Sequence, residues 1–257
     1  MPVTVFDYTD FSSTSGLNLI GDAAVVSSVL RLTPAATGKQ GACWYQTTID
    51  LSLGFTTIFD FQMTGGGGIS NPGHEPNGVG GDGIVFLIQL ASNTEIHSGG
   101  QDLGYAGIIN AIVFEFDTYD NYTFGDIGDN ELAIHAGSGS VGSNYGTGGI
   151  GKAHINMTAP PSMKDGSVHR AKIKYDASIP QFQVFVDDMT TPKLTWNSAI
   201  DAAMNYAAFP WVGFTGAAGS AYNNNDVLSW TLTIPVSPTG KLGYYQDGIW
   251  HLTEDYV

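Results

Sequence analysis

The sequence predicts an all-β protein, a sandwich of antiparallel strands joined by loops, and three observations carry that prediction. Glycine is abundant, at 34 of 257 residues, which implies many tight turns. Short runs alternate apolar and polar residues at period two and recur along the chain. Few segments keep the 3.6-residue period of an amphipathic helix. The length suits one large sandwich or two small domains. An apolar fraction of 42% is near the globular average and argues against wholesale disorder.

The predicted strands follow in order. Phe59, Phe61 and Met63 alternate with Asp60 and Gln62. Residues 84–90 are almost continuously apolar, as in a strand buried on both faces. Residues 111–117 read Ala-Ile-Val-Phe-Glu-Phe-Asp. Ala171, Ile173 and Tyr175 alternate with Arg170, Lys172 and Lys174, and residues 182–186 follow a hairpin turn at Ser178-Ile179-Pro180. Leu228, Trp230, Leu232 and Ile234 form one face of a late, half-buried strand. Only residues 198–208 read as helical, a turn or two capped by Asn197 or Ser198. Residues 65–83 and 137–151 read as loops within one domain. That domain is expected to span residues 1–235. The tail, 236–257, either packs back on the sandwich or leads elsewhere.

Charge excludes one class of partner. With 24 acidic and 9 basic residues, the formal net charge is -15, so the surface repels nucleic-acid backbones. The excess is either a solubilising surface or, in part, a cluster of carboxylates holding a cation. Cys43 is the single cysteine, so no internal disulfide forms; between Ala42 and Trp44 it reads as a core thiol. The N-terminus lacks the basic and apolar regions of a signal peptide. No stretch approaches the ~18 apolar residues of a membrane helix, so no membrane insertion is expected.

The most informative segment begins at Glu115. In a strand, Glu115 and Asp117 share one face while Phe114 and Phe116 take the other. Two adjacent carboxylates stay ionised most readily with a cation between them. Asn121 and Asp126 lie in the following loop and can add oxygens, as can the Tyr119 carbonyl. These are the ligands that calcium prefers. Two other readings stand beside this one. The loop can be merely acidic and solvated. Alternatively, Glu115, Asp117 and Asp120 nearly form the Glu-x-Asp-x-x-Glu pattern of retaining glycoside hydrolases, whose two carboxyls sit ~5–5.5 Å apart. An Asp in the third place is one methylene short.

Here the sequence resembles the legume-type (L-type) lectin family, with its concanavalin A-like jelly-roll fold. The hallmark segment Val-x-Glu-Phe-Asp-Thr-Tyr-x-Asn is matched by residues 113–121, and Asp126 follows at the family's spacing. The start, with Phe11, Leu17-Asn18-Leu19-Ile20-Gly21-Asp22-Ala23 and Leu30-Arg31-Leu32-Thr33, is similar to the family as well. So are Gly81-Asp82-Gly83-Ile84-Val85-Phe86, the Gly99-Gly100-Gln101-Asp102-Leu103-Gly104 loop, and the closing Trp211-Val212-Gly213-Phe214-Thr215 with Leu228-Ser229-Trp230. These pieces occur in the family's order over roughly residues 3–235.

The resemblance implies a non-enzymatic, calcium-dependent lectin or adhesin module. It implies Ca2+ held by Asp117, the Tyr119 carbonyl, Asn121 and Asp126. It implies a second divalent ion, Mn2+ or Ca2+, held by Glu115, Asp117, Asp126 and a histidine. By spacing, that histidine falls on Glu131, so Glu131 is the expected ligand and His135 a strand residue satisfied elsewhere. An all-oxygen site then favours calcium or manganese over softer ions. Sugar contacts fall on Asp82, Gly100 and Asn121, with Asp82 preceded by a cis peptide from Gly81. Phe124, or else Tyr122 or Tyr105, is the expected stacking aromatic. Ser220 lies in the last specificity loop, residues 216–225, which departs from the family. Implied partners are glycans, mannose/glucose-type by family default, and a second copy of the chain in a homo-oligomer. The implied location is extracellular or at the cell surface. The competing readings are a glycoside hydrolase on the same sandwich and a metal-binding module without a sugar site.

Overall fold

Period-two alternation gives each strand one apolar face, and two such sheets bury those faces against each other. A computed structural model describes residues 2–70, 77–123, 125–140, 151–157, 162–204, 209–236, 243–246 and 249–252. In chain order the strands are β1 (Val3–Tyr8), β2 (Leu17–Gly21), β3 (Ala24–Val26), β4 (Val29–Thr33), β5 (Lys39–Tyr45), β6 (Thr48–Ile49), β7 (Gly54–Gly68), β8 (Gly83–Gln89) and β9 (Ile109–Asp117). They continue with β10 (Glu131–Ser140), β11 (Gly151–Asn156), β12 (Val168–Asp176), β13 (Gln181–Val186) and β14 (Leu194–Asn197). After one short helix, α1 (Ile200–Met204), come β15 (Trp211–Ala218), β16 (Ala221–Ile234), β17 (Gly243–Gln246) and β18 (Ile249–Leu252).

One sheet runs β14-β13-β12-β7-β16-β4-β3, with β1 also pairing β16. The other runs β11-β10-β9-β8-β15-β5-β2. Phe59, Phe61 and Met63 of β7 face Phe86 of β8, Phe114 and Phe116 of β9 and Phe214 of β15 in the core between the sheets. The ring centroids of Phe59 and Phe214 lie 5.0 Å apart in edge-to-face contact, as their quadrupoles favour. Strands β8 and β9 are buried on both faces. Their outer residues, Val85, Leu87, Ala111 and Val113, pack with Leu103, Tyr105 and Ile108 of the connecting segment in a second apolar cluster. The expected strand at 84–90, apolar on both faces, is thereby explained.

Several expectations are refined. The helix at 198–208 is described only as α1, and residues 205–208 lie outside the described residues. The loop placed at 65–83 starts later, because β7 continues to Gly68 and pairs Gly67 with Tyr222. A Cβ on Gly67 would stand 2.7 Å from the Tyr222 ring, so glycine allows that approach. Similarly β10 runs to Ser140 and β11 begins at Gly151; the intervening residues 141–150 lie outside the described residues. The 216–225 stretch is not a long loop. Its two ends belong to β15 and β16, leaving a turn of Gly219 and Ser220. In the tail, β17 pairs β18 and also β6, with Tyr244 opposite Ile49, in a separate three-stranded sheet. Cys43 is fully buried, and burial pushes its thiol pKa well up. No helix among the described residues is long and apolar enough to cross a membrane.

Register places the site. Asp117 lies opposite Gly83 of β8 on one side and Glu131 of β10 on the other. The segments entering β8, leaving β9 and entering β10 therefore converge at one end of the second sheet.

Candidate functional site

Asp82 sits where β8 begins, only 4% exposed, and the Gly81–Asp82 peptide is cis. Its N–H donates to the Ala217 carbonyl at 2.9 Å. Its carbonyl accepts the Thr118 N–H at 2.8 Å and the Thr118 hydroxyl at 3.0 Å. Its Oδ2 accepts the Gly219 N–H at 2.5 Å. Asn223, 1% exposed, stands behind it; with its amide turned to satisfy its neighbours, it accepts the Gly81 N–H at 3.1 Å and donates to the Tyr222 carbonyl at 3.2 Å. Gly100 opens a short 3-10 turn with φ at +64°, a conformation that favours glycine. A Cβ placed on Gly219 would lie 3.2 Å from both Asp82 Oδ2 and the Gly100 Cα. Asp82, Gly100 and the Gly219–Ser220 turn are thus neighbours, with Ser220 exposed at the rim. Asn121 follows three residues after Thr118, and Tyr122 beside it is 53% exposed.

Below this edge lies a cluster of carboxylates. Alternation puts Glu115 and Asp117 on the outer face of β9, away from Phe114 and Phe116, as expected. Both are 5% exposed, and Glu131 is 4% exposed. Asp117 Oδ1 accepts the Tyr119 N–H at 2.8 Å, Asp126 Oδ2 the Asn121 N–H at 2.6 Å, and Glu131 Oε2 the Ile127 N–H at 2.8 Å. Burial, then the charges of Asp126 and Glu115, pushes Asp117 well above the usual carboxylate range. Burial raises Asp126 to about 7, with Glu115 and Asp120 adding to it against the Asn121 N–H. Glu131 rises to about 8, again chiefly by burial, with the Glu115 charge next among the groups that raise it. Carboxylates so placed cannot all ionise without a compensating cation.

The donors suit a hard cation: they are oxygens, buried and mutually repelling. Their positions do not form a closed cage, however. Among the described residues, no group of three or more His, Cys, Asp or Glu side chains is placed to hold one ion. Glu115 is instead engaged by protein: Tyr105 OH donates to Oε1 at 2.6 Å, and His135 Nε2 lies 2.9 Å from Oε2. His135, 2% exposed, meets Glu115 through Nε2, while its buried Nδ1 has no hydrogen-bond partner among the described residues, so the strand histidine is only half satisfied. Tyr105 is fully buried and cannot stack on a ligand. Phe124 lies outside the described residues.

Sequence reasoning missed five contributors. His154 of β11 places Nδ1 3.1 Å from Glu131 Oε1. Asn223 and Gly219 brace Asp82. Lys164 and Asp129 form a fully buried ion pair at 3.2 Å. The alternation of β10 and β11 could have flagged His154, because Ala133 and His154 pair across the strands beside Glu131. Nothing local to Met163-Lys164-Asp165-Gly166 marks that lysine as buried.

Comparison with known proteins settles the family. The model of the legume lectin beta-barrel domain matches residues 6–229. The chain belongs to the L-type lectin family. The L-type lectin-domain containing receptor kinase VII.1 of Arabidopsis thaliana is 26% identical over 251 residues, covering 90% of this chain and 35% of the kinase. This lectin chain therefore spans about a third of the receptor kinase's length. Lectin 8 of Medicago truncatula is 25% identical over 257 residues, covering 89% of this chain and 86% of that protein. Among solved structures, the Bauhinia forficata lectin in complex with GalNAc superposes with a TM-score of 0.69 at 19% identity, covering 91% of this chain and 98% of that one. The VIP36 exoplasmic/lumenal domain in its Ca2+/Man3GlcNAc-bound form gives 0.66 at 16% identity, covering 91% of each. These likenesses establish the jelly-roll lectin fold for this L-type lectin.

Proposed function

We propose that this L-type lectin binds glycans at the edge formed by Asp82, Gly100, Asn121 and the Gly219–Ser220 turn, in a calcium-dependent way and without cleaving them. The observation that carries this reading is the bracing of Asp82. A nearly buried carboxylate held at its N–H, carbonyl and Oδ2 is a fixed acceptor for sugar hydroxyls, and Gly100 beside it lets backbone approach a ligand. Tyr122 is the exposed aromatic best placed by sequence to cover a sugar's apolar face.

Calcium would be held by Asp117, the Tyr119 carbonyl, Asn121 and Asp126. When bound, it supplies the positive charge that lets these carboxylates ionise together. The elevated pKa values of Asp117 and Asp126 support that assignment. A second ion, Mn2+ or Ca2+, at Glu115 and Glu131 would have to displace His135 from Glu115 and His154 from Glu131, so we assign it the weaker affinity. The same engagement of Glu115 by Tyr105 and His135 argues against its use as a hydrolase nucleophile.

A glycan array with and without calcium tests the reading, with mannose/glucose-type glycans as the first probes. Wild type should bind at least one glycan class, and Asp82→Ala should lose about 1.5–3 kcal/mol, roughly 10- to 100-fold in affinity. Binding by Asp82→Ala equal to wild type, or no binding in any class, defeats it. New reducing ends on incubation with β-glucans would restore the hydrolase alternative.

A further inference from the structure

Lys164 is buried to 1% side-chain exposure, in a protein with only 9 lysines and arginines. Its ammonium reaches three segments at once. It pairs with Asp129 Oδ2 at 3.2 Å, just before β10. It donates to the Thr118 carbonyl at 2.5 Å, just after β9, and to the Gly80 carbonyl at 3.5 Å, just before β8. Asp129, 0% exposed, also accepts the Asn77 N–H at 3.0 Å and the Asn77 side-chain amide at 2.7 Å. The turn that delivers the lysine is anchored by fully buried Met163, whose N–H donates to Asn130 Oδ1 at 2.9 Å.

A buried ion pair costs several kcal/mol in lost hydration for each ion, and an apolar pair of similar size often serves stability as well or better. What the apolar pair cannot do is hold two backbone carbonyls at fixed positions. Here those carbonyls flank Asp82. Thr118 is the relay: its carbonyl meets Lys164 while its N–H and hydroxyl meet the Asp82 carbonyl. Gly80 is the second relay, two residues before Asp82.

We propose that the Lys164–Asp129 pair is an internal clamp that positions Asp82, so that the Asp82 arrangement persists when divalent ions are stripped from the protein. Lys164 is a positioning residue and acts through Thr118 and Gly80, not on a ligand. The significance of the clamp rests on Asp82 being the saccharide acceptor, but the clamp can be tested with no saccharide present.

Hydrogen exchange read by mass spectrometry, in EDTA and in calcium, follows the Asp82 and Thr118 amides against the β12–β13 hairpin as internal control. Wild type in EDTA should keep both amides protected to within about threefold of the calcium state. The double substitution Lys164→Met/Asp129→Leu removes the pair without leaving a lone buried charge. It should speed exchange at those two amides in EDTA by at least about tenfold while leaving the hairpin unchanged. If the double variant does not fold, Asp129→Asn, which keeps the shape of the site, serves for the same comparison. Unchanged exchange at Asp82 and Thr118 in the variant overturns the clamp, as does loss of their protection in wild type on adding EDTA. A failed glycan array with local exchange as expected would instead defeat the sugar-site reading and leave the clamp standing.

Discussion

Gly219 gives the sharpest test of where a ligand sits. Its N–H donates to Asp82 Oδ2 at 2.5 Å, and a Cβ at this position would lie 3.2 Å from that oxygen and from the Gly100 Cα. In Gly219→Val, two methyl groups extend about 1.5 Å beyond that Cβ. They fall in the gap between the acceptor and the glycine that a saccharide is proposed to bridge. The fold should tolerate them. Gly219 is in a turn whose next residue, Ser220, is exposed, and its two tight contacts, the Asp82 carboxylate tip and the Gly100 Cα, need shifts of only a few tenths of an ångström, so the stability cost is expected to be about 1 kcal/mol. Binding should suffer far more. Losing a hydrogen bond to a charged acceptor is worth about 1.5–3 kcal/mol, or roughly 10- to 100-fold in affinity, before any direct clash. Titration calorimetry with the strongest glycan from the array reads the affinity, and a thermal melt reads the fold. A valine variant that melts and binds like wild type would refute the placement of the site.

Three further outcomes follow from the same structure. In metal-stripped protein, Asp126 and Glu131 carry folded pKa values of about 7 and about 8, above the roughly 4 of unfolded carboxyls. A raised carboxyl favours folding while protonated, so its contribution is full below about pH 4 and fades as pH rises through 7 to 8; the melting temperature in EDTA should fall across that window, and calcium should flatten the fall. A flat profile in EDTA would mean that these groups are not crowded as described. Tyr122→Ala should weaken glycan binding roughly fivefold with the melting temperature unchanged, since the ring is more than half exposed; an equal affinity would remove it from the site. Phe59→Ala should cost about 3–5 kcal/mol in urea unfolding, because the ring is fully buried among Phe61, Phe86, Phe116 and Phe214. A cost below about 1 kcal/mol would mean that the core collapses around the gap.

Much of the fold was legible because the code for a strand is local. Alternation at period two marked β7, β12 and β16, and the apolar runs marked β8 and β9. The same rule separated Glu115 and Asp117 from Phe114 and Phe116. Family motifs located Asp82, Gly100 and the 115–126 segment, because those residues act within short loops of characteristic composition. Glycine-rich stretches misled at 65–68: glycine there admits the Tyr222 ring over a continuing strand and does not end it.

The sequence by itself determined β7, β8, β9, β12, β13 and most of β16, the face that Glu115 and Asp117 take and the segment where the carboxylates gather; the bulge that turns Val227 inward and Leu228 aside came only with the sheet. Tertiary structure alone decided what those groups touch. Lys164 lies 82 residues from Asp82 in the chain, yet its ammonium reaches the backbone flanking that aspartate. Asn223 comes from another strand to meet Gly81, while Tyr105 and His135 approach Glu115 from separate elements. Strand propensity depends on neighbours a few residues away. A buried charge finds its partner only when sheet order and register bring distant segments together.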